Sequence, residues 1–453
     1  MNIANRFERF FKSVLPTPFT IAVLLTFLTF ILALLITEGK TEGNYALQLL
    51  QFWEKGIWHS PLLVFALQMM LMLVLGHTLA VSKPISNLIS KSTKYCNNTA
   101  NAAAIITFFT LLVSFFNWGL GLIFGAIFAR KVGEHASERG IRINYPLIGA
   151  AGYSGLMVWH GGISGSAPIK IAEEEHFLVD KIGVISQAET VFSFMNISIS
   201  IILLITIPLL MYYLGKRNTG NLLYLKSDKE QKSDKEQNNL KICGAEKIDH
   251  SKIIAWTFGG IILSYAFYKA FILPENISLK VINPNYINFV LLGLAIVMHK
   301  SFFNFLNGVN SAISGASGIL IQFPLYFGIM GIMNHSGMVQ IMSEFFVNIS
   351  NKTTFPIFTF ISAGIVNVFV PSGGGQWAVQ GPIIVDAATQ LDVNIPKSVM
   401  ALAYGDQLTN MLQPFWALPL LGITELKAKD ILPYTLILLL AGMVIFIGGL
   451  LVF

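Results

Sequence analysis

The sequence predicts an all-α polytopic membrane protein with two inverted-topology repeats, each holding a re-entrant helical hairpin and a broken transmembrane helix. Three observations carry this prediction: composition, uncharged segments and an internal duplication. Hydrophobic residues make up 54% of the 453 residues and charged residues only 12%, whereas charged residues form about 25% of soluble domains. Uncharged runs close to the roughly 20 residues that span a bilayer recur at 19–37, 60–82, 190–215, 281–298 and 431–453.

The duplication concerns two interrupted apolar segments in each half of the chain. Asn117 matches Asn367 at an offset of 250 residues. Tyr153 matches Tyr404 at an offset of 251, as Pro168 matches Pro419. Interrupted membrane segments at corresponding positions of two halves are the sequence feature that best indicates a transporter's binding site.

A charged linker separates the two halves. Residues 226–237 are two tandem copies of Lys-Ser-Asp-Lys-Glu-Gln, a composition that cannot bury a core. We therefore predict membrane halves at 1–215 and 251–453, joined by a cytoplasmic linker at 216–250. The first apolar stretch is interpreted as a helix rather than a cleaved signal peptide, because it is long and has no convincing cleavage site.

In each half, one uncharged segment is too long for a single crossing. Residues 95–129 and 353–385 carry no charge, and each contains a break followed by a second arm of ten uncharged residues. Ten helical residues rise about 15 Å, half the hydrocarbon thickness. The alternative is a pair of short full crossings joined by a surface turn. We predict re-entrant hairpins near 97–132 and 353–388, and broken helices near 145–170 and 398–424.

The number of crossings predicts the orientation. With a cytoplasmic N-terminus, the first hairpin enters from the cytoplasm and the second from outside, so the repeats are inverted. Lys and Arg then concentrate on the cytoplasmic side, as the positive-inside rule requires. The prediction is a multi-pass protein of the bacterial inner membrane, with the N-terminus and linker cytoplasmic and the C-terminus outside. Cys96 and Cys243 are expected to be free thiols in cytoplasmic loops.

The breaks are rich in residues that free backbone groups for a ligand. Glycine lets a ligand approach the backbone closely, and helix N-termini favour a carboxylate. No Lys or Arg is expected in the four broken regions, so a small anion would be held without a cationic side chain. The alternative is that these glycines only allow close helix packing. The candidate substrate-binding residues are Asn117, Trp118, Gly119, Ser164, Gly165, Ser166, Asn367, Ser372, Gly373, Gly374, Gly375 and Gln413.

Asp406 is the only carboxylate between residues 398 and 424. A charge at membrane depth costs about 2.5–3.5 kcal/mol on insertion scales, so it persists there when it pairs, binds a cation or is protonated. We predict that Asp406 holds the coupling cation, H⁺ or Na⁺, with Asn117, Asn367 and Gln407 as further candidates for that site. The alternatives are that both asparagines only cap helices and that Asp406 is satisfied by Gln407, Asn410 or backbone.

His160 also lies inside the first break and could titrate near neutral pH. A lone membrane histidine is more often a hydrogen-bonded structural residue, and that alternative stays open. The sequence contains no His-Glu-x-x-His metal motif and no phosphate-binding Gly-x-x-x-x-Gly-Lys-Ser/Thr loop. We therefore predict neither an enzyme nor an ATP-driven pump, with no cofactor, no resident metal beyond Na⁺ and no nucleic-acid partner.

Four groups of motifs stand out: Asn117-Trp118-Gly119, Phe369 to Gly375 with Trp377 and Gln380-Gly381-Pro382, Ser398 to Gln407, and Gln413 to Pro419. Together they resemble the bacterial short-chain fatty acid (acetoacetate/butyrate) transporter family. The likeness runs from about Phe10 to the C-terminus. Two features depart from the family's pattern: the charged linker, and His160, where the family has glycine.

This resemblance implies a secondary permease for small monocarboxylates such as acetoacetate or butyrate. The family is similar to the ion-transporter superfamily, in which paired hairpins form a moving domain on a dimeric scaffold. Symport with H⁺ or Na⁺, an elevator-type motion and a homodimer are therefore implied. An uncoupled channel or exchanger for small organic anions is the alternative.

Overall fold

The structure is a computed structural model that describes residues 17–38, 44–217, 225, 244–274, 278–369, 372–412 and 416–453. Most of these residues are helical, which confirms the all-α class. Most of the predicted linker lies outside the described residues, as do Cys243 and Gln413. The helices are α1 Pro18–Ile36, α2 Tyr45–Ile57, α3 Ser60–Ala80, α4 Lys83–Ser92, α5 Thr99–Phe116, α6 Trp118–Arg139, α7 Tyr145–Tyr153, α8 Ser166–Lys170, α9 Val179–Ile182, α10 Phe194–Arg217, α11 Glu246–Asp249, α12 Lys252–Phe271, α13 Pro284–His299, α14 Phe302–Ser336, α15 Met338–Ile349, α16 Phe355–Phe369, α17 Gly373–Gln390, α18 Ile395–Thr409, α19 Leu418–Thr424 and α20 Ala428–Val452.

Seven of the described helices are long and apolar enough to cross a membrane. They are α1, α3, α5, α10, α12, α14 and α20. Helix α14 has 35 residues, so it rises about 50 Å and exceeds the hydrocarbon thickness of about 30 Å. The protein is therefore a multi-pass membrane protein.

The helices form two packed groups. In the first group, α14 packs against α1, α2 and α3, and α13 joins α3 to α12. The second group contains α5–α8, α10 and α16–α20. The main contacts between the groups are α3 with α6 and α14 with α17. Helix α2 is an element that the sequence analysis did not predict.

Two helical hairpins lie in the second group. The first hairpin, α5–α6, turns at Asn117, whose backbone is extended and whose Oδ1 accepts the Leu120 N–H at 2.8 Å. The second hairpin, α16–α17, turns before Ser372, whose Oγ accepts the Gly375 N–H at 3.2 Å. A capping side chain at the turn satisfies a donor that would otherwise be left free at the start of the second arm.

A broken segment follows each hairpin. The first broken segment runs from α7 through a 3₁₀ turn, Ser154–Met157, and a loop to α8. The second broken segment runs from α18 through a 3₁₀ turn, Asn410–Leu412, to α19. Asn144 and Asn394, 250 residues apart, cap the first helix of each segment. Irregular backbone inside a membrane protein persists where protein or a cavity surrounds it, and both 3₁₀ turns are largely buried.

The outer ends of the hairpins contact the opposite broken segments. Near the end of the first hairpin, Arg130 contacts Glu425 at 3.2 Å, just beyond α19. Close to it, the Tyr145 hydroxyl donates to the Thr424 carbonyl at 3.0 Å. The second hairpin instead shares an apolar cluster with the chain that follows α8, including Ile171. Each hairpin thus contacts the start of its own broken segment and the far end of the other one.

Candidate functional site: a cavity between two hairpin tips

Both hairpin tips reach one small cavity at the junction of the two helix groups. Its volume is about 20 Å³, which is room for roughly one water molecule. The hairpins and broken segments contribute Trp118, Leu156, Trp159, Ser166, Ser372, Gly373, Gly374, Asn410 and Trp416. The two long helices of the other group contribute Met69, Ile319 and Phe323.

Five of the predicted substrate-binding residues line this cavity: Trp118, Ser166, Ser372, Gly373 and Gly374. Trp118 lies close to two other indoles, with ring centroids 5.7 Å from Trp159 and 5.4 Å from Trp416. The cavity therefore has an aromatic wall on the side of the first tip. The sequence analysis missed Trp159 as a site residue. A tryptophan next to a helix break can line a binding cavity or simply pack in the core, and the sequence does not distinguish the two.

Other predicted site residues build the first tip instead of lining the cavity. The Ser164 hydroxyl accepts the Trp118 backbone N–H at 3.0 Å, which ties the first broken segment to the hairpin. Gly119 lies against α3, since an added Cβ would stand 3.0 Å from the Leu73 Cα. The Gly165 N–H donates to the Gly162 carbonyl at 3.0 Å, and an added Cβ at position 165 would stand 1.9 Å from the His160 carbonyl oxygen. The first tip thus has two of its N–H groups, those of Trp118 and Leu120, bound by the protein itself.

In the second half, too, some of the predicted site residues hold the hairpin in place and do not line the cavity. Asn367 lies within α16, and its Nδ2 donates to the Asp406 carbonyl at 2.8 Å, Thr409 Oγ1 at 2.9 Å and Asn410 Oδ1 at 3.1 Å. Gly375 packs against the Tyr326 ring. Asn367 therefore holds the second hairpin to the break in α18 and does not line the cavity.

Asp406 pairs with a residue that the sequence analysis ranked low. Its Oδ2 lies 2.5 Å from Nδ1 of His160, and both side chains are buried. The other imidazole nitrogen, Nε2, accepts the Ala167 N–H at 3.1 Å. Because Nε2 accepts, Nδ1 carries the proton and donates it to the carboxylate. This pair joins the two halves of the chain across 246 residues.

The predicted alternative partners of Asp406 have other roles. Gln407 Oε1 accepts the backbone N–H groups of His160 and Gly161, each at 3.0 Å. Asn410 Oδ1 accepts from Asn367. In the alternative interpretation, Gln407, Asn410 or backbone satisfies the Asp406 carboxylate. Among the described residues, Gln407 instead accepts from the backbone of the first break, and the carboxylate contacts His160.

The His160–Asp406 pair lies next to the cavity. The His160 ring stacks on Trp159, with centroids 4.5 Å apart and an interplanar angle of 20°. A Cβ added to Gly373 would stand 2.6 Å from the Trp159 ring and 2.8 Å from His160 Cε1. The second tip therefore packs closely against both rings, and a side chain at position 373 would overlap them.

The prediction that the broken regions contain no Lys or Arg side chain is wrong at the end of the first broken segment. Lys170, the last residue of α8, is buried, and its Nζ pairs with Glu173. The same Nζ lies 5.3 Å from the centroid of the Phe65 ring. The cavity lining itself contains no charged side chain among the described residues.

Comparison with solved structures shows which known proteins share this fold. The YdaH transporter of Alcanivorax borkumensis, described as having an unusual topology, matches with a TM-score of 0.61 and 14% identity, covering 96% of this chain and 98% of that one. MtrF of Neisseria gonorrhoeae, assigned to a class of antimetabolite efflux pumps, matches with a TM-score of 0.61 and 15% identity, covering 98% and 97%. These two transporters share the fold of this chain.

The particular family follows from sequence. The family model for the short chain fatty acid transporter matches residues 1–453. Curated proteins named "Putative short-chain fatty acid transporter" match from Escherichia coli (strain K12), at 35% identity over 100% of this chain and 99% of the relative, and from Haemophilus influenzae, at 35% over 97% of each. The chain belongs to the short-chain fatty acid transporter family. It is a membrane transporter and not an enzyme.

Proposed function

We propose that this protein is a secondary active transporter for small monocarboxylates such as acetoacetate or butyrate, driven by symport with H⁺ or Na⁺. The observation that carries this proposal is a cavity lined by residues of both hairpin tips and both broken segments. Its uncharged polar and aromatic lining suits a small organic anion with an apolar tail. The family's name supports the same substrate class.

Asp406 is the proposed coupling residue. It is the buried carboxylate beside the cavity, and an ionisable group inside a membrane protein marks an ion or proton pathway by default. Among the described residues, its Oδ2 contacts the His160 imidazole and no Lys or Arg side chain, so a coupling cation would supply the positive charge beside it. Asn367 donates to the backbone carbonyl of Asp406, and Gln407 accepts from the backbone N–H of its partner His160.

An elevator-type motion is proposed on the basis of how the two helix groups meet. Helices α3 and α14 supply one wall of the cavity, while the hairpins and broken segments supply the rest. Opposite entry of the hairpins, and hence inverted repeats, is supported by the contact of each hairpin's outer end with the far end of the other broken segment. A homodimer in the bacterial inner membrane, with a cytoplasmic N-terminus and an external C-terminus, completes the proposal.

Uptake into proteoliposomes tests the proposed function. Labelled acetate, butyrate and acetoacetate are offered under an imposed H⁺ gradient and, separately, an imposed Na⁺ gradient. We expect at least one acid to accumulate above its external concentration under one of the gradients. Equilibration without accumulation would instead indicate an uncoupled channel or exchanger, and accumulation of only dicarboxylates or amino acids would reject the substrate class.

A further inference from the structure

Three residues that line the cavity each carry a buried N–H donor with no hydrogen-bond partner among the described residues. The donors are Nε1 of Trp118, Nε1 of Trp159 and Nδ2 of Asn410. The three residues are only 5%, 4% and 1% exposed. A buried donor without an acceptor costs free energy, and such groups call for a specific explanation in a native structure.

The three donors come from separate parts of the fold. Trp118 begins the second arm of the first hairpin, Trp159 lies in the loop of the first broken segment, and Asn410 begins the 3₁₀ turn of the second. Other contacts hold each of them in place. The Trp118 backbone N–H is bound by Ser164, the Trp159 ring stacks on His160, and Asn410 Oδ1 is bound by Asn367. Fixed donors lose little entropy when an acceptor arrives.

An acceptor that fits these donors is a singly charged carboxylate. A carboxylate has two oxygens with about four lone-pair sites, and its hydrogen bonds to neutral donors are stronger than neutral pairs. The nearby cation Lys170 is already paired with Glu173. Neutral donors without an added positive charge favour a monoanion over a dianion.

The other residues of the lining restrict the size and polarity of the part of the ligand beyond its carboxylate. Ile319, Phe323, Leu156 and Met69 add apolar surface to the cavity lining. The cavity of about 20 Å³ is close to the size of one water molecule, so even a short acid requires its walls to move apart. An alkyl tail of a few carbons needs the smallest displacement.

We propose that the indole N–H groups of Trp118 and Trp159 and the amide N–H of Asn410 bind the substrate carboxylate, while the apolar walls select a short alkyl tail. This proposal rests on the proposed function, since it names the residues that recognise the substrate. It adds Trp159 and Asn410 to the site and assigns a specific atom to Trp118.

Equilibrium binding of labelled butyrate to the purified full-length protein, in detergent and without any ion gradient, tests the proposal. Trp118→Phe and Trp159→Phe each remove one N–H and retain most of the ring. We expect each variant to weaken butyrate binding about tenfold or more, as the loss of a hydrogen bond to a charged group implies. In the unchanged protein, butyramide should compete much less well than butyrate, because it lacks the charge.

Trp377→Phe is the matched control. Trp377 is fully buried and its Nε1 also has no partner among the described residues, yet it packs against Phe177 and does not line the cavity. We expect Trp377→Phe to bind butyrate as the unchanged protein does. Equal losses in all three variants would assign the effect to packing and overturn the proposal.

Two further results would also overturn it: unchanged butyrate affinity in both cavity variants, or equal competition by butyramide. If one cavity variant fails to fold, the other variant and the butyramide comparison still decide. Because this binding needs no gradient, loss of coupled accumulation in proteoliposomes would reject the proposed symport and leave the binding result intact. If the variants bind butyrate normally and the protein still accumulates it, the assignment of these N–H donors is rejected and the proposed transport function is kept.

Discussion

The two halves of the chain place different chemistry at corresponding positions. Asp406 in the second half matches Gly155 in the first, 251 residues earlier. A Cβ added to Gly155 would stand 2.1 Å from Ser114 Oγ, so position 155 has no room for a side chain. In the second half, the residue that matches Ser114 is Gly364. The duplication therefore repeats the hairpins and breaks, and local packing leaves space for a carboxylate in only one half.

The two halves also supply hydrogen-bond partners to each other at their breaks. The first half has no carboxylate at its break but contributes His160, which donates to Asp406 across the interface. Gln407 of the second half in turn accepts two backbone N–H groups of the first break. The two breaks thus contact each other directly through these hydrogen bonds. The following substitutions test the difference between the halves.

Asp406→Asn should have the largest effect. It removes the charge that the proposed coupling cation neutralises, so we expect gradient-driven accumulation of butyrate in proteoliposomes to fall to background. The measurement is the initial rate and final level of uptake under each gradient. Asp392→Asn is the control, because that carboxylate is exposed and pairs with Lys352 far from the cavity. Accumulation at the unchanged level by Asp406→Asn would reject the coupling role.

His160→Ala should have the next largest effect. It leaves Asp406 without its imidazole donor, and the loss of a hydrogen bond to a charged group costs about 1.5–3 kcal/mol. We expect a lower melting temperature and uptake reduced about tenfold. His160→Asn, whose side-chain amide can still donate, should retain more uptake than His160→Ala.

The combination of His160→Ala with Asp406→Asn separates coupling from packing. Residues in direct contact show non-additive effects on stability. We therefore expect the double variant to melt higher than the sum of the two single losses predicts. Strict additivity would show that the two side chains do not interact in solution.

Gly155→Ala should have an intermediate effect on stability. The added methyl group overlaps Ser114 Oγ, and overpacking of this kind costs about 1–3 kcal/mol. Ser114→Gly should partly restore the melting temperature, because it makes the first half resemble the second at Gly364. Part of the loss should remain, since Thr110 also stands 2.8 Å from the added atom. An unchanged melting temperature in Gly155→Ala would contradict the proposed reason for the asymmetry.

Lys352→Ala should have the smallest effect. The Lys352 ammonium holds the pKa of Asp392 below its ordinary value. Stability from such a lowered pKa is present above the ordinary value and is lost as pH falls through the lowered one. Because both side chains are exposed, solvent screens the pair, and we expect no measurable change in melting temperature at neutral pH. A clear loss that disappears below the pKa of Asp392 would show that the pair matters.

The sequence was most informative about features with a local cause. Long uncharged runs predicted a membrane protein because only apolar helices or closed barrels satisfy backbone groups in lipid. Asn117 and the glycines after Ser372 predicted where the two hairpins turn, since caps and glycines act within a few residues. Helix α2 was missed because its shorter, amphipathic pattern resembles neither a membrane span nor a loop.

The sequence was least informative about partners that are distant along the chain. His160 gave only a weak signal, and nothing local connects it with Asp406, 246 residues away. Trp159 and Asn410 gave no signal as donors, because an unpaired N–H is visible only once the surrounding atoms are in place. Lys170 was overlooked at the end of its segment, although burial against Phe65 and Glu173 makes it part of the first break.

The sequence by itself thus determined the membrane class, the division into two related halves and the places where helices break. These properties depend on hydrophobic length and on the backbone preferences of single residues. Only the tertiary structure decided which side chains share the cavity and why one half carries the carboxylate. That outcome depends on contacts between distant residues, such as Ser114 against Gly155 and His160 against Asp406, which packing of the two halves creates.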